Sequence, residues 1–320
     1  MDVLIVGAGP TGLTAALEFA RRGIIAHVIE KRPTPSPWSR AVGILPASLE
    51  ILEPTGVSDA LRARGIRVGH ARVFRGSKEM LALPLAVPDR PEAMLLALPQ
   101  DETEGCLADA FHRYDGHVHY GVTLTGLEQL DPHVQVTLDG AARTGLPDKY
   151  QFVVGADGVH STVRQALEIP FEGYDLPQQW SIADVEATDW PWPQDFCAFL
   201  LDGGAVCVAV PIGPGRYRVI ADRPDALATL PVPMVVTARR REGTFTIAVR
   251  QAARYGLDRA WLAGDAAHSH SPVGGRGMNL GIADAAALVH HFEAGTLQDY
   301  SYQRHAAAAS STSPSGRARR

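Results

Sequence analysis

The chain has 320 residues, of which 46% are hydrophobic and 20% charged, with a formal net charge of −5, an ordinary globular composition able to bury one or two cores. No internal stretch joins Lys and Arg with aromatics, which argues against nucleic acid and for a small molecule as partner. Cys106, Cys197 and Cys207 are odd in number and lack CxxC spacing, which argues against a disulfide framework or a zinc site and fits a cytoplasmic protein.

The opening MDVLIVGAGP has no basic stretch ahead of its apolar run, and Gly and Pro break that run early. Neither a signal peptide nor a membrane span is expected. Val3 to Val6 is uniformly apolar, the pattern of a parallel strand buried on both faces. From Thr11, the residues Leu13, Ala16, Leu17 and Ala20 share one helical face, and Gly23 closes the helix. Ile25 to Ile29 then reads as a second strand that ends at Glu30. Between strand and helix lies Gly7-Ala-Gly9-Pro10-Thr11-Gly12. In such a βαβ unit Gly7 permits the tight turn, Gly9 lets backbone approach a pyrophosphate, and Gly12 allows close helix packing. Glu30 is placed to accept hydrogen bonds from a ribose. Alone, this motif does not separate NAD from FAD.

Further along, Val134, Val136 and Leu138 alternate, and strands are expected over Phe196 to Leu201, Ala205 to Val210, Tyr217 to Ala221 and Thr244 to Val249. Asp202-Gly-Gly and Gly213-Pro-Gly mark hairpin turns between three of them. Residues 277 to 292 and 297 to 308 are helical by pattern. The polar tail from Ser310 has too little apolar content to order and is expected to be disordered. Trp190-Pro-Trp192-Pro reads as turn packing. His160, His268 and His270 lack metal-site spacing and read as loop or packing residues, and the adjacent His290 and His291 point to different sides of their helix.

Two more motifs follow buried apolar runs: Val154-Gly-Ala-Asp157-Gly158-Val-His-Ser161-Thr-Val163-Arg164, and Leu262-Ala-Gly264-Asp265-Ala-Ala-His268 with Ser271-Pro272-Val273-Gly274-Gly275-Arg-Gly277-Met278-Asn279. Asp265 sits between a strand and a glycine-rich loop, where a carboxylate can accept from sugar-alcohol hydroxyls; an N-cap role is the alternative. The helix expected from near Met278 points its positive end at the same loop.

With the first motif, and with Ser39-Arg40-Ala41 and Leu98-Pro-Gln100 between, the set resembles the FAD-dependent aromatic hydroxylases, the class A flavin monooxygenases related to para-hydroxybenzoate and phenol hydroxylases. The resemblance runs from about residue 1 to 308. It implies an α/β fold, a Rossmann-like FAD-binding domain (1–72, 98–178 and 258–308) plus a smaller, mostly antiparallel β substrate module (73–97 and 179–257), with a disordered tail over 309–320. It implies FAD as cofactor, held by Gly7, Gly9, Pro10, Thr11, Gly12, Glu30, Lys31, Arg40, Gln100, Asp157, Gly158, Asp265, Gly274, Gly275, Gly277, Met278 and Asn279. NADPH or NADH acts as transient reductant. By this resemblance the chain hydroxylates a phenolic or polycyclic aromatic substrate with O2 through a flavin C4a-hydroperoxide, as a monomer or homodimer, with Pro272 and Val273 near the substrate. No protein nucleophile or metal is assigned, because the flavin carries the chemistry. Two alternatives stay open: a flavin oxidoreductase that inserts no oxygen, and a truncated FAD-binding paralogue with little activity. The chain departs from the family pattern at Ala287-Leu-Val-His290-His291-Phe292. It departs again between Arg223 and Thr244, where prolines 224, 231 and 233 leave little room for a helix.

Overall fold

The computed structural model describes residues 2–36, 41–85, 94–269 and 275–312. Its centre is a six-stranded sheet in the order Gly256–Leu257, Ala260–Leu262, Phe152–Gly155, Asp2–Val6, Ile25–Glu30 and Val118–Tyr120. The neighbours are parallel, apart from the hairpin between the first two. Val3, Leu4, Ile5, Val153 and Val154 are fully buried, as a parallel sheet covered on both faces requires. Helix Pro10–Ala20 packs against helices Gln100–His112 and Arg276–Ala294. Phe19, Phe152 and Phe292 close the space between sheet and helix, edge to face, at centroid distances of 4.6–6.3 Å.

A second sheet has eight strands, in the order His268–Ser269, Val235–Ala252, Phe171–Thr188, Arg216–Ala221, Val206–Gly213, Phe196–Leu200, His70–Arg75 and Lys78–Pro84. All pairs are antiparallel except Phe196–Leu200 with His70–Arg75. One face supplies every second residue (Ala183, Val185, Tyr217, Val219, Cys207, Ala209) to a core separate from the first, closed by Phe74, Phe199, Trp190 and the partly buried Trp192. The Trp190 and Trp192 rings meet edge to face at 5.3 Å, so the tryptophan turn packs as expected. Two three-stranded sheets complete the described residues. One joins Gly43–Ile44, Leu96–Ala97 and Ile66–Arg67; the other joins Lys149–Tyr150, His133–Asp139 and Thr123–Leu130.

Several elements differ from their sequence expectation. The strand expected at Thr244 to Val249 runs from Val235 to Ala252 and pairs along its length with Phe171–Thr188. Its charged run Arg239-Arg-Arg-Glu242 hid the alternation, because long cations tolerate a half-exposed sheet surface. Between Ala221 and Val235 only a single turn, Ala226–Thr229, is helical, with Asp225 Oδ1 accepting from Ala228 N at 3.0 Å. The helix expected from Met278 starts at Arg276. The last helix spans Leu297–Thr312, correcting the disorder expected from Ser310: a run of four alanines before it has high helix propensity and propagates the helix. The rest of the tail lies outside the described residues.

The three thiols sit in the cores. Burial pushes Cys197 and Cys207 up to about 12 and raises Cys106 as well. Burial thus keeps these thiols protonated at neutral pH, and the thiolate is the nucleophile. The native protein is therefore expected to leave a disulfide-exchange reagent unreacted until denaturant is added, after which three thiols titrate. A full count before denaturation would contradict this packing.

Candidate functional site

The three glycine motifs meet at one edge. Val6, Gly155 and Leu262 are in register across three adjacent parallel strands, so the turns that follow them lie side by side at the carboxyl ends, where open α/β sheets bind ligands. The junctions are too tight for side chains. A Cβ on Gly7 or Gly12 would collide with the carbonyl oxygen of Ala156 or of Gly7, respectively, and one on Gly264 or Gly281 would strike the Thr11 hydroxyl. Gly7 and Gly264 also have φ of +105° and +62°, accessible to glycine without strain. A Cβ on Gly9, by contrast, would meet no protein atom within 4 Å.

That open side is a cavity of about 230 Å³ lined by Gly7, Gly9, Glu30, Lys31, Arg32, Gln100, Glu104, Asp157, Gly158 and Thr162. Helix Pro10–Ala20 begins beside it with Pro10 in the first turn, where proline is pre-organised and no donor is lost. Glu30 Oε2 accepts from Ala8 N at 3.1 Å, and its carboxylate pairs with the Arg32 guanidinium at 3.0 and 3.2 Å. Burial pushes this carboxyl up, but Arg32 and the Arg32 and Ala8 amides outweigh it and hold it below its ordinary value. Glu104, also buried, goes the other way: burial raises it despite the 2.8 Å bond from Gln100 Nε2.

Ser161 caps helix Thr162–Ala166, and Asp157 Oδ2 accepts from the first-turn amides, Thr162 N at 2.6 Å and Val163 N at 3.3 Å. Its Oδ1 is buried with no protein partner. Burial raises its carboxyl, with the Ser161 hydroxyl and the helix amides acting against the rise. An orphaned oxygen at a cavity wall is the feature a ligand hydroxyl satisfies. Arg164, from the same motif, is structural: it donates to Ala266 O and Val159 O at 2.8 Å each and lies 3.8 Å over the Phe171 ring.

The third motif divides. Asp265 is exposed in the turn Gly264–Ala266, whose Gly264 lies against Thr11, and it does not line the cavity. Gly275 is the left-handed N-cap of helix Arg276–Ala294, and Gly277 lies in its first turn. Met278 packs into the first core. Asn279 uses its whole amide within the protein: Oδ1 accepts from Leu45 N (2.8 Å) and Ser48 Oγ (2.7 Å), and Nδ2 donates to Gly43 O and Gly275 O at 2.8 Å. Its side chain therefore has no bonding capacity left for a ligand. Arg40, Pro272, Val273 and Gly274 lie outside the described residues.

Sequence reasoning missed two groups. Arg32 and Thr162 sit next to motif residues, but their part in the wall depends on how the chain turns. The other is Asp284, fully buried, which ties its own helix to two further segments, bonding Gly264 N at 3.0 Å and His268 Nε2 at 2.5 Å in the third motif and Arg304 Nε at 2.6 Å in the last helix. Burial opposes its charge, yet His268 and Arg304 hold its carboxyl below the usual range. His268 is thus a packing residue with a specific partner. His290 is exposed while His291 is buried against Thr296. Among the described residues no group of three His, Cys, Asp or Glu could hold a metal, and no helix is long and apolar enough to cross a membrane.

A parallel sheet with three glycine turns around a ribose-compatible carboxylate defines a dinucleotide-binding α/β protein. The chain belongs to the FAD binding domain family, whose profile matches residues 1–221 and 224–313. Its relatives are aromatic-compound monooxygenases. It is 33% identical to the uncharacterized aromatic compound monooxygenase YhjG of Bacillus subtilis, over 96% of this chain and 66% of that protein. It is 31% identical to pentachlorophenol 4-monooxygenase of Sphingobium chlorophenolicum, over 89% and 57%. Among solved structures, p-nitrophenol 4-monooxygenase PnpA of Pseudomonas putida superimposes with a TM-score of 0.84 at 24% identity, over 98% of this chain and 86% of that one, a likeness of fold. The anhydrotetracycline hydroxylase OxyS of Streptomyces rimosus superimposes at 0.78 with 30% identity, over 96% and 66%. The chain spans roughly half to three quarters of the length of the curated relatives it matches.

Proposed function

We propose that this chain is an NAD(P)H-consuming monooxygenase that binds FAD in the glycine-lined cavity and hydroxylates a phenolic or polycyclic aromatic compound. The observation that carries the reading is the convergence of three motif turns on a wall where Glu30 offers an ionised carboxylate and Asp157 an unpartnered oxygen. In this reading residues 1–72, 98–178 and 258–308 hold the cofactor, and 73–97 with 179–257 carry the substrate surface.

The residues fit an FAD. Gly9 presents bare backbone to the cavity, the helix at Pro10 directs its positive end there, and Glu30 is held by Ala8 and Arg32 in position to accept ribose hydroxyls. Asp157 Oδ1 takes a hydroxyl, and Gln100 is oriented by Glu104. At about 230 Å³ the cavity accommodates part of a dinucleotide, with the remainder extending beyond it. When bound, FAD supplies the redox chemistry, accepting hydride from the nicotinamide and delivering one atom of O2 to the ring. The protein binds, orients and excludes water, which such oxygen chemistry requires. A second reading, an FAD-binding protein with little turnover, is favoured by the single helical turn at Ala226–Thr229 in the substrate sheet.

Purified protein is expected to carry, or take up, a yellow flavin, and to oxidise NADPH faster when a suitable phenol is added, with little peroxide released. Protein that takes up no FAD overturns both readings. Flavin binding without stimulation across a broad phenol panel selects the second.

A further inference from the structure

Three carboxyl groups, Glu30, Glu104 and Asp157, line the glycine-rich cavity against two cations, Lys31 and Arg32, and no histidine is in its described wall. With every group ionised, the wall would carry more negative than positive charge before the diphosphate of FAD added to it. Crowded carboxylates of this kind push one of their number to the neutral form. Glu30 is not that one: Ala8 N and Arg32 N donate to it, and the Arg32 guanidinium clasps both its oxygens. Asp157 has two backbone amides, Thr162 N and Val163 N, on its Oδ2, and such bonds favour the ionised form.

Glu104 is the least supported of the three. It is 7% exposed and has one donor, Gln100 Nε2, one turn earlier on helix Gln100–His112. Its other oxygen makes no hydrogen bond among the described residues. Burial raises its carboxyl; Gln100 and Arg32 oppose the rise, while Glu30 and Asp101 add to it. Tyr120, on the neighbouring edge strand, also faces it, as a phenol that burial and Glu104 keep protonated. The helices packed on Gln100–His112 bring no free cation: Pro10–Ala20 carries Glu18, paired with Arg21 and Arg22, and Val57–Arg64 carries Arg64, 3.9 Å from Asp109. A protonated carboxyl donates through one oxygen and accepts through the other. Kept neutral by its surroundings, it can serve a bound anion as a hydrogen-bond donor where a carboxylate would repel it.

We propose that Glu104 is a neutral carboxylic acid in the FAD-bound protein, accepting from Gln100 through one oxygen and donating to the cofactor through the other, so that FAD binding takes up a proton from solvent. The proposal rests on FAD occupying this cavity. A group that must be protonated in the complex favours binding at low pH. Affinity therefore falls as pH rises past the value of Glu104 in the free protein, by at most about tenfold per pH unit, and levels off beyond its value in the complex. The test is titration of the FAD-free protein with FAD, by flavin fluorescence from about pH 5.5 to about pH 9 and by calorimetry at neutral pH in Tris and in Pipes. These buffers differ in ionisation enthalpy, so the difference in heat counts the protons. The parent is expected to take up part of a proton and to bind FAD more weakly as pH rises. Glu104→Gln keeps the neutral shape; it is expected to take up none, and at about pH 9 to bind FAD at least about tenfold more tightly than the parent. Glu104→Asp is expected to restore part of the pH dependence. On the parent alone, ADP is expected to take up the proton and adenosine, which lacks the diphosphate, to take up none. FAD binding by the parent that ignores pH and buffer overturns the proposal and leaves the cofactor site intact. Uptake that persists in Glu104→Gln, uptake lost only in Asp157→Asn, or equal uptake with ADP and adenosine also overturns it. Failure of the parent to bind FAD at any pH removes the cofactor reading of the cavity and this inference together.

Discussion

Asp284→Asn is expected to be among the most destabilising conservative substitutions in this chain. The carboxylate is fully buried and joins the Gly264 amide, His268 and Arg304. The amide replacement leaves the Arg304 guanidinium without its counter-charge, and removing one partner of a buried pair costs about 3–5 kcal/mol. For a chain of this size that lowers the thermal midpoint by roughly 4–7 °C. Because Gly264 carries the turn that holds Asp265, retention of FAD should weaken in parallel. The acid limb tests the charge directly. A carboxyl held below its ordinary value adds stability that is complete above its unfolded pKa of about 3.9 and is lost as pH falls through the folded value. The parent protein should therefore lose stability on acidification below about pH 4, and the variant should lack that increment. Equal midpoints and equal acid sensitivity in the two proteins would contradict the network.

Gly12→Ala is the second large effect, and Gly9→Ala is its control. A Cβ at position 12 meets the backbone carbonyl of Gly7, which cannot rotate away, so helix Pro10–Ala20 must move off the strand turn. Overpacking of this kind costs about 1–3 kcal/mol, and the displaced segment is the one that faces the cavity. Both thermal stability and FAD affinity are expected to fall, the affinity by at least about tenfold. At Gly9 the added methyl meets no protein atom, so stability should hold while FAD affinity drops through contact with the cofactor itself. If Gly9→Ala binds FAD as the parent does, the cofactor does not approach that backbone.

Much of the nucleotide-binding half was legible in advance because its constraints are local. An apolar run, a glycine turn and a periodic helix occupy consecutive residues, and Glu30 ends the next strand; each feature reports a backbone geometry that few residues satisfy. The eight-stranded sheet was less legible. Phe171–Thr188 and Val235–Ala252 are 18 residues each, but partly exposed strands carry charges that blur a two-residue period. Asp284 gave no local signal, since the partners that define it lie 16 to 20 residues away in sequence along two helices and a turn. The family resemblance implies that Asn279 is a cofactor contact. Its four bonds to Leu45, Ser48, Gly43 and Gly275 make it a clamp within the protein.

Neighbouring residues and backbone sterics are enough to specify the strand-turn-helix units, the positions where only glycine fits and, through them, the dinucleotide class. Long-range packing is what brings the three turns to one sheet edge, leaves Asp157 with an oxygen without a partner and ties three segments together at Asp284. Those facts depend on strand order and register, which bring distant residues within hydrogen-bond reach and set how much water each charge retains.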